Sequence, residues 1–149
     1  MHYRVREPGR FKGEKLVILG GGDSALDWAL ALAPGAAELT LVHRSDQFRA
    51  APATLAAYRE LVAAGKMEYI EGIASAIAVE DGRLTGVTIK RTDVTAQDVP
   101  ADHLLAFFGL HPKLGPIAEW GFELEKKAIK VDTAKFQTSV PGIFAIGDI

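Results

Sequence analysis

The sequence predicts an α/β fold with a parallel sheet, flanking helices and an inserted antiparallel β-hairpin or meander. Two observations predict the parallel part: the largely apolar run 15–19 ends in consecutive glycines, and a helical segment and a second apolar run follow. Continuous apolar runs are typical of parallel strands that are buried on both faces. A third observation predicts the insertion, because Asp81 and Gly82 separate two β-rich runs and Asp-Gly is a strong hairpin signal.

The first part of the chain is predicted to form a strand, a helix and a second strand in that order. The strand at 15–19 leads into the glycines, and the Ala- and Leu-rich segment 23–33 predicts a helix. Pro34 and the glycine after it end this helix. A second strand at 38–42 and a polar loop at 43–50 complete a βαβ unit.

The remaining elements are predicted from the same kinds of signal. A helix begins at Pro52, which suits a first helical position, and ends at Gly65, which suits the residue after a helix. A loop is predicted at 109–116. Strands are predicted at 67–70, at 73–80 and 84–91 around the hairpin turn, at 103–108 returning to the main sheet, and, as short late strands, at 128–131 and 143–146. The sequence contains no internal repeat, so we expect one domain over residues 1–149.

Composition and charge exclude several classes of function. The 149 residues, of which 48% are hydrophobic and 24% charged, suit one globular domain with a core. A formal net charge of −2 argues against a general nucleic-acid or membrane-surface role. The absence of cysteine excludes disulfides and thiol redox chemistry within the chain. The histidines lack metal-ligand spacing and no segment reaches the roughly 18 apolar residues of a membrane span, so we expect a soluble, cytoplasmic protein without a metal site.

The residues after the first strand form a candidate dinucleotide-binding turn of a Rossmann-like sheet. Gly20, Gly22 and Ala25 have the spacing of the GxGxxG pattern, directly after a predicted strand and at the start of a predicted helix. Glycine permits a tight turn and lets a pyrophosphate approach bare backbone, while free N–H groups at a helix N-terminus attract anions. The candidate residues of this glycine turn are Gly20, Gly21, Gly22, Asp23, Ser24 and Ala25. A tight turn without a ligand remains the alternative.

The two polar side chains of the glycine turn are assigned different roles. Asp23 is predicted to cap the helix, because its charge is unfavourable beside a pyrophosphate. Ser24 carries a neutral hydroxyl in the first helical turn and is the better donor to a phosphate.

Positive charge follows the second strand. NAD-binding domains place a carboxylate at this position for the ribose hydroxyls, whereas the 2′-phosphate of NADP requires cations. Here the strand ends at His43 and Arg44, and Arg49 follows within one short loop. Guanidinium groups match phosphate oxygens bidentately, so we predict that the two arginines bind the 2′-phosphate. Two alternatives stay open: solvated surface arginines, and a histidine that only ends a strand.

These residues carry a resemblance to a known family. The strings GGGDSALDWAL at 20–30 and HRSDQFRA at 43–50 resemble the NADPH-binding domain of thioredoxin-reductase-like ferredoxin-NADP reductases, flavoproteins of the pyridine nucleotide-disulfide oxidoreductase fold. The resemblance continues through 114–121 and 140–148 and so covers essentially the whole chain. The Asp27-Trp28 pair is closer to the ferredoxin reductases than to thioredoxin reductases, which also carry a CxxC pair before this glycine strand.

The resemblance implies NADPH and FAD as cofactors and hydride transfer from nicotinamide C4 to flavin N5. Electrons would then pass singly to ferredoxin or flavodoxin. Asp148 would contact the ribityl-phosphate region of FAD, and Gly109 would let the nicotinamide lie against backbone, although a simple turn is an equal alternative for that glycine. No residue of the chain is implied as a general acid, base or nucleophile. Ser45 departs from the family, which has a second arginine there, so one phosphate contact is expected to be weaker.

The resemblance also predicts that the chain is part of a larger protein. The sequence stops one residue after Asp148, and nothing before Leu16 resembles an FAD-binding glycine turn. We therefore expect an FAD domain elsewhere in the same polypeptide, a homodimer at full length, and no activity in the chain alone. Two alternatives remain: a disulfide-reductase-like flavoenzyme with another acceptor, and a freestanding nucleotide-binding or sensor domain.

Overall fold

A computed structural model describes residues 1–109 and 113–147. It divides into two compact units, Met1–Phe108 and Gly109–Ile149. The regular elements of the first unit are a 3-10 turn at Pro8–Phe11, β1 (Lys15–Leu19), α1 (Asp23–Leu32), β2 (Glu38–His43), α2 (Pro52–Ala63), β3 (Glu68–Glu80), β4 (Arg83–Arg91), β5 (Ala96–Pro100) and β6 (His103–Ala106). In this unit the predicted βαβ unit and second helix are confirmed, and their ends lie within a residue or two of the predicted ones.

The strands of the first unit form one six-stranded sheet in the order β5-β4-β3-β2-β1-β6. β1 lies between β2 and β6 and pairs with both in parallel. The predicted return of the chain to the main sheet after the hairpin is therefore confirmed. The carboxyl ends of parallel strands meet at one edge, so the residues that follow β1 and β2 lie at the same edge of the sheet.

β3 belongs to both parts of the sheet. Its first residues pair in parallel with β2, and from Gly72 onward it pairs antiparallel with β4. A Cβ at Gly72 would lie 2.6 Å from the carbonyl oxygen of Lys90, so the change of partner requires glycine. The prediction of separate strands at 67–70 and 73–80 is wrong, because β3 runs without a break from Glu68 to Glu80.

The hairpin predicted from Asp-Gly is confirmed, and a further strand follows it. Asp81 and Gly82 have φ values of 49° and 75°, the left-handed conformation that a tight hairpin turn requires. β5, which pairs antiparallel with β4, was not predicted. Four of its five residues are exposed or half-buried and only Val99 is buried, so no apolar alternation marks it.

The sheet has a different cover on each face. Leu16 and Ile18 of β1 pack with α1 and α2, whereas Val17 and Leu19 pack with residues of β4, β5 and β6. Both helices therefore lie on one face, and residues of the antiparallel strands pack on the other. β1 is buried on both faces, as its continuous apolar run predicts.

The second unit contains a 3-10 helix at Gly115–Glu119 and a two-stranded sheet of β7 (Leu124–Glu125) and β8 (Ala128–Ile129). The strand predicted at 128–131 is confirmed in part. The strand predicted at 143–146 is wrong: of these residues, Phe144 alone forms an isolated bridge, to Gln137. The hydroxyl of Thr138 donates to the Ile143 carbonyl over 2.9 Å, and this bond holds the segment as a turn.

Among the described residues, no helix combines the length and apolarity needed to cross a membrane. In the same residues, no three His, Cys, Asp or Glu side chains come together as candidate metal ligands. His2 Nε2 and His103 Nδ1 approach within 3.3 Å at the start of β6, and burial lowers the pKa of both imidazoles. This pair lies at the edge of the sheet opposite the glycine turn.

Candidate nucleotide-binding site

Gly20, the first glycine after β1, is required by packing. It has a φ of 143°, which side chains rarely adopt, and a Cβ there would lie 2.4 Å from the carbonyl oxygen of Phe107. Its own N–H donates to the Val42 carbonyl over 3.0 Å. Ala25 is fully buried, and its Cβ lies 3.0 Å from that same Cβ position. Small residues at these two sites let α1 pack closely on the end of β1.

Gly22 is the glycine that leaves backbone open. It is the N-cap of α1, with a φ of −102°, and the nearest atom to a Cβ there would be the Arg49 carbonyl oxygen at 3.8 Å. Gly21, in contrast, lies against the His43 ring, whose Nε2 would be 2.3 Å from a Cβ. In the described part of the chain, Gly21, Gly22 and Ser24 donate no hydrogen bond from their backbone N–H groups. An anion therefore has bare backbone and free donors at Gly22.

Asp23 does not cap α1, so the predicted capping role is wrong. The N-cap residue is Gly22, and the helix has no side-chain cap hydrogen bond. The Asp23 carboxylate instead accepts a hydrogen bond from the backbone N–H of Ala51 over 3.0 Å. Its partner lies 28 residues away in sequence, beyond the reach of the local pattern from which capping was predicted. Asp23 thus joins the glycine turn to Ala51, the N-cap residue of α2.

The arginine loop, residues 44–51, lies directly beside the glycine turn. The Arg49 N–H donates to the Gly21 carbonyl over 2.7 Å, and Arg49 and Gly22 form an isolated parallel bridge. The side chains of Arg44 and Arg49 are exposed, and Ser45 is half-buried. The structure therefore brings together the two groups of residues that the sequence assigned separately to pyrophosphate and to 2′-phosphate.

Sequence reasoning missed an aromatic cluster beneath the arginine loop. Its members are His43, Phe48, Tyr58 and Tyr69, which come from β2, the loop, α2 and β3. The Phe48 ring centroid lies 5.4 Å from that of His43, 5.2 Å from that of Tyr58 and 5.5 Å from that of Tyr69. The available signal was Phe48, an apolar residue between the polar Gln47 and Arg49. An aromatic side chain in a polar loop indicates that this position is buried.

The cluster holds two tyrosine hydroxyls in a poorly hydrated environment. The Tyr69 hydroxyl is buried and finds no hydrogen-bond partner within residues 1–109 and 113–147. Burial, and then the carboxylates of Glu71 and Asp46, raise the pKa of Tyr69 to about 12. Burial also raises the pKa of Tyr58. Both hydroxyls therefore stay protonated well above neutral pH.

Two further predicted residues belong to the segment that begins at Gly109. Gly109, in the second unit, has a φ of 81° and open space where a Cβ would be. Asp148, expected to contact FAD, lies outside the described residues.

A family model described as pyridine nucleotide-disulphide oxidoreductase matches residues 3–149. The chain belongs to this family. The family-level resemblance found in the glycine turn and the arginine loop is thereby confirmed.

Relatives within the family carry a more specific name. The chain is 54% identical over 149 residues to "Ferredoxin--NADP reductase 2" of Cupriavidus taiwanensis, spanning 100% of this chain and 40% of that protein. It is 53% identical over 153 residues to "Ferredoxin--NADP reductase" of Albidiferax ferrireducens, spanning 100% of this chain and 43% of that protein. The chain thus spans less than half the length of these relatives.

A solved structure shares the fold. Thioredoxin reductase of Lactococcus lactis is similar with a TM-score of 0.78 and 25% identity, over 95% of this chain and 46% of that one. The predicted fold class, a parallel-dominated α/β sheet with inserted antiparallel strands, is confirmed.

Proposed function

We propose that the chain is the NADPH-binding part of a flavin-dependent ferredoxin-NADP reductase. One observation carries the proposal: the arginine loop is hydrogen-bonded to the glycine turn through Arg49 N–H and the Gly21 carbonyl, 2.7 Å apart. This bond holds a cationic loop beside an open helix N-terminus. The ferredoxin-NADP reductase relatives described above support the reaction class.

The residues present fit an NADP nucleotide. The open backbone at Gly22 and the free N–H groups of the first turn suit the pyrophosphate, and Ser24 adds an exposed hydroxyl. Arg44 and Arg49 are exposed cations that suit the 2′-phosphate, with Ser45 as a neutral donor beside them. Bound NADPH would supply a hydride from its nicotinamide ring. The chain's own residues bind and orient the nucleotide, which is the usual contribution of protein to cofactor chemistry.

The flavin and the acceptor belong to the proposed full-length enzyme. Because the chain spans 40% of its relative from Cupriavidus taiwanensis, we assign most of FAD binding to a further domain of the same polypeptide. Ferredoxin or flavodoxin is the proposed acceptor, and a homodimer is the proposed assembly.

Calorimetric titration of the chain with NADP⁺ and NAD⁺ tests the proposal. We expect NADP⁺ to bind at least about tenfold more tightly, because each charge-assisted hydrogen bond to the 2′-phosphate contributes about 1.5–3 kcal/mol. Arg44→Ala and Arg49→Ala should each remove most of that difference while leaving NAD⁺ binding unchanged.

The matched control is Arg83→Ala, which removes an exposed arginine at the hairpin, distant in sequence from both parts of the site. It should leave both affinities unchanged. Equal binding of the two nucleotides by the unmodified chain would contradict the proposal, as would a preference that survives the loss of both loop arginines.

A further inference from the structure

Phe48 is the one apolar residue between the two arginines of the arginine loop. The residues from Arg44 to Arg49 form no helix or strand, and the side chains of Arg44, Asp46, Gln47 and Arg49 are exposed. Phe48 is half-buried and packs against the main hydrophobic core. Phe48 and Ala50 therefore attach the loop to the body of the unit, and Phe48 is the larger of the two side chains.

The Phe48 ring contacts aromatic residues from three different elements. Its centroid lies within 5.2–5.5 Å of the rings of His43, Tyr58 and Tyr69. The interplanar angles of 36°, 54° and 59° are tilted arrangements, which aromatic pairs favour over face-to-face stacking. Because β2, α2 and β3 all meet this one ring, a shift of the loop would disturb several contacts at once.

These contacts act on Arg49, the next residue. The Arg49 N–H is bonded to the Gly21 carbonyl at 2.7 Å, so the peptide between Phe48 and Arg49 is held by a side chain on one side and by a main-chain bond on the other. The Arg49 side chain is exposed and leaves from this fixed backbone. Without the ring, the loop would keep the main-chain bond to Gly21, the Asp23–Ala51 bond and the contact of Ala50 with the core.

The ring of Tyr69 lies 5.5 Å from that of Phe48, and its hydroxyl is shielded from solvent. Among the described residues, this hydroxyl has no hydrogen-bond partner. Removal of the Phe48 ring would admit water to the space beside Tyr69. Water would then bond the Tyr69 hydroxyl and weaken the packing that holds the arginine loop. The same change would bring the loop's charges, including Asp46, into less defined positions.

We infer that Phe48 is a positioning residue that sets the preference for a 2′-phosphorylated nucleotide. It acts through the backbone of Arg49 and does not touch the nucleotide. Preorganised charge binds more tightly than mobile charge, because the cost of ordering the side chain and loop is met before the ligand arrives. The inference rests on the proposed function, since it concerns the same site.

The test compares NADP⁺ and NAD⁺ binding to the full chain and to Phe48→Ala and Phe48→Leu by calorimetric titration. Phe48→Ala should weaken NADP⁺ binding about tenfold and NAD⁺ binding less than about twofold, because one charge-assisted contact loses its fixed position. Phe48→Leu keeps part of the packing and should weaken NADP⁺ binding about threefold. All-or-none unfolding would not produce such a graded effect.

Met67→Ala is the matched control. Met67 is 5% exposed and belongs to the same hydrophobic core, but it lies beside the amino end of β3, at the edge of the sheet opposite the arginine loop. It should lower the melting temperature, measured by circular dichroism, and leave the ratio of the two affinities unchanged. If Phe48→Ala does not fold, Phe48→Leu is compared with Met67→Ala in the same way.

The outcomes separate this inference from the proposed function. A chain that prefers NADP⁺, with Phe48 variants that keep the full preference, would overturn the positioning role alone. Equal weakening of both nucleotides by the Phe48 variants would also overturn it, since that result indicates general loss of structure. A starting chain without any preference would instead contradict the proposed function.

Discussion

The glycine turn and the arginine loop lie side by side in the first unit, and different contacts hold them. Gly20 and Gly21 are fixed sterically: a Cβ at either would approach neighbouring atoms within 2.4 Å. The arginine loop is fixed by two hydrogen bonds, at 2.7 and 3.0 Å, and by the ring of Phe48. Its charged side chains project into solvent.

This difference assigns separate tasks to the two regions. The glycine turn must keep its backbone shape to fit between β6 and α1, so few substitutions are compatible with it. The arginine loop can exchange exposed residues without disturbing the sheet, because its attachments are the side chains of Phe48 and Ala50 and the N–H groups of Arg49 and Ala51. We therefore expect changes at Gly20 and Gly21 to alter stability and changes in the loop to alter nucleotide preference.

The largest effect is expected for Gly20→Ala. The new Cβ would meet the Phe107 carbonyl at 2.4 Å, at a φ of 143°. Strain and displacement of this backbone should lower the free energy of unfolding by roughly 3 kcal/mol, measured by urea denaturation.

Gly22→Ala is the control within the same turn, because its Cβ would have 3.8 Å to the nearest atom at an ordinary φ. It should change the free energy of unfolding by less than about 0.5 kcal/mol. It should nevertheless weaken the binding of both nucleotides, since the methyl group would occupy the open space beside the Gly22 backbone. Equal destabilisation by the two substitutions would remove the distinction between packing and binding glycines.

A smaller effect, on preference, is expected for Ser45→Arg. The half-buried serine stands between the exposed Arg44 and Asp46, and an added guanidinium should strengthen NADP⁺ binding about tenfold, or about 1.4 kcal/mol. NAD⁺ binding should stay unchanged in the same titration.

Gln47→Arg adds the same charge two residues along the loop, at an exposed position, and serves as its control. It should give a smaller gain, because long-range attraction alone is screened by salt. Equal gains from the two variants would mean that net charge, rather than position in the loop, governs the preference.

The smallest effect concerns the aromatic cluster. Tyr69→Phe removes a buried hydroxyl without a partner and should raise the free energy of unfolding by about 1 kcal/mol at neutral pH. Tyr3→Phe, at a residue that is 70% exposed, should have no effect.

The same variant tests the alkaline behaviour of the fold. The pKa of Tyr69 is raised from 10.0 to about 12, so the folded state holds this proton while the unfolded state releases it. Stability should therefore fall as pH rises from 10 towards 12, and fall less in Tyr69→Phe. An identical pH dependence in both proteins would show that the hydroxyl is hydrated.

Much of the fold could be predicted because its signals are local. The apolar run of β1, Pro34 after α1 and the Asp81-Gly82 pair each act on residues next to them. The break predicted within β3 and the strand predicted at 143–146 were wrong for the opposite reason. At Gly72, β3 changes its pairing from β2 to β4, a strand that lies later in the sequence. The segment 143–146 forms a turn because the Thr138 hydroxyl bonds the Ile143 carbonyl.

The sequence by itself determined the βαβ unit, the glycine turn, the hairpin and the positive charge after β2. Each of these features depends on the type and spacing of a few residues that are close in sequence. Only the tertiary structure decided that Asp23 binds Ala51, that Arg49 binds Gly21, and that Phe48 contacts Tyr58 and Tyr69. The bonds of Asp23 and Arg49 each join residues 28 apart, a separation at which local patterns carry no information about which groups will meet.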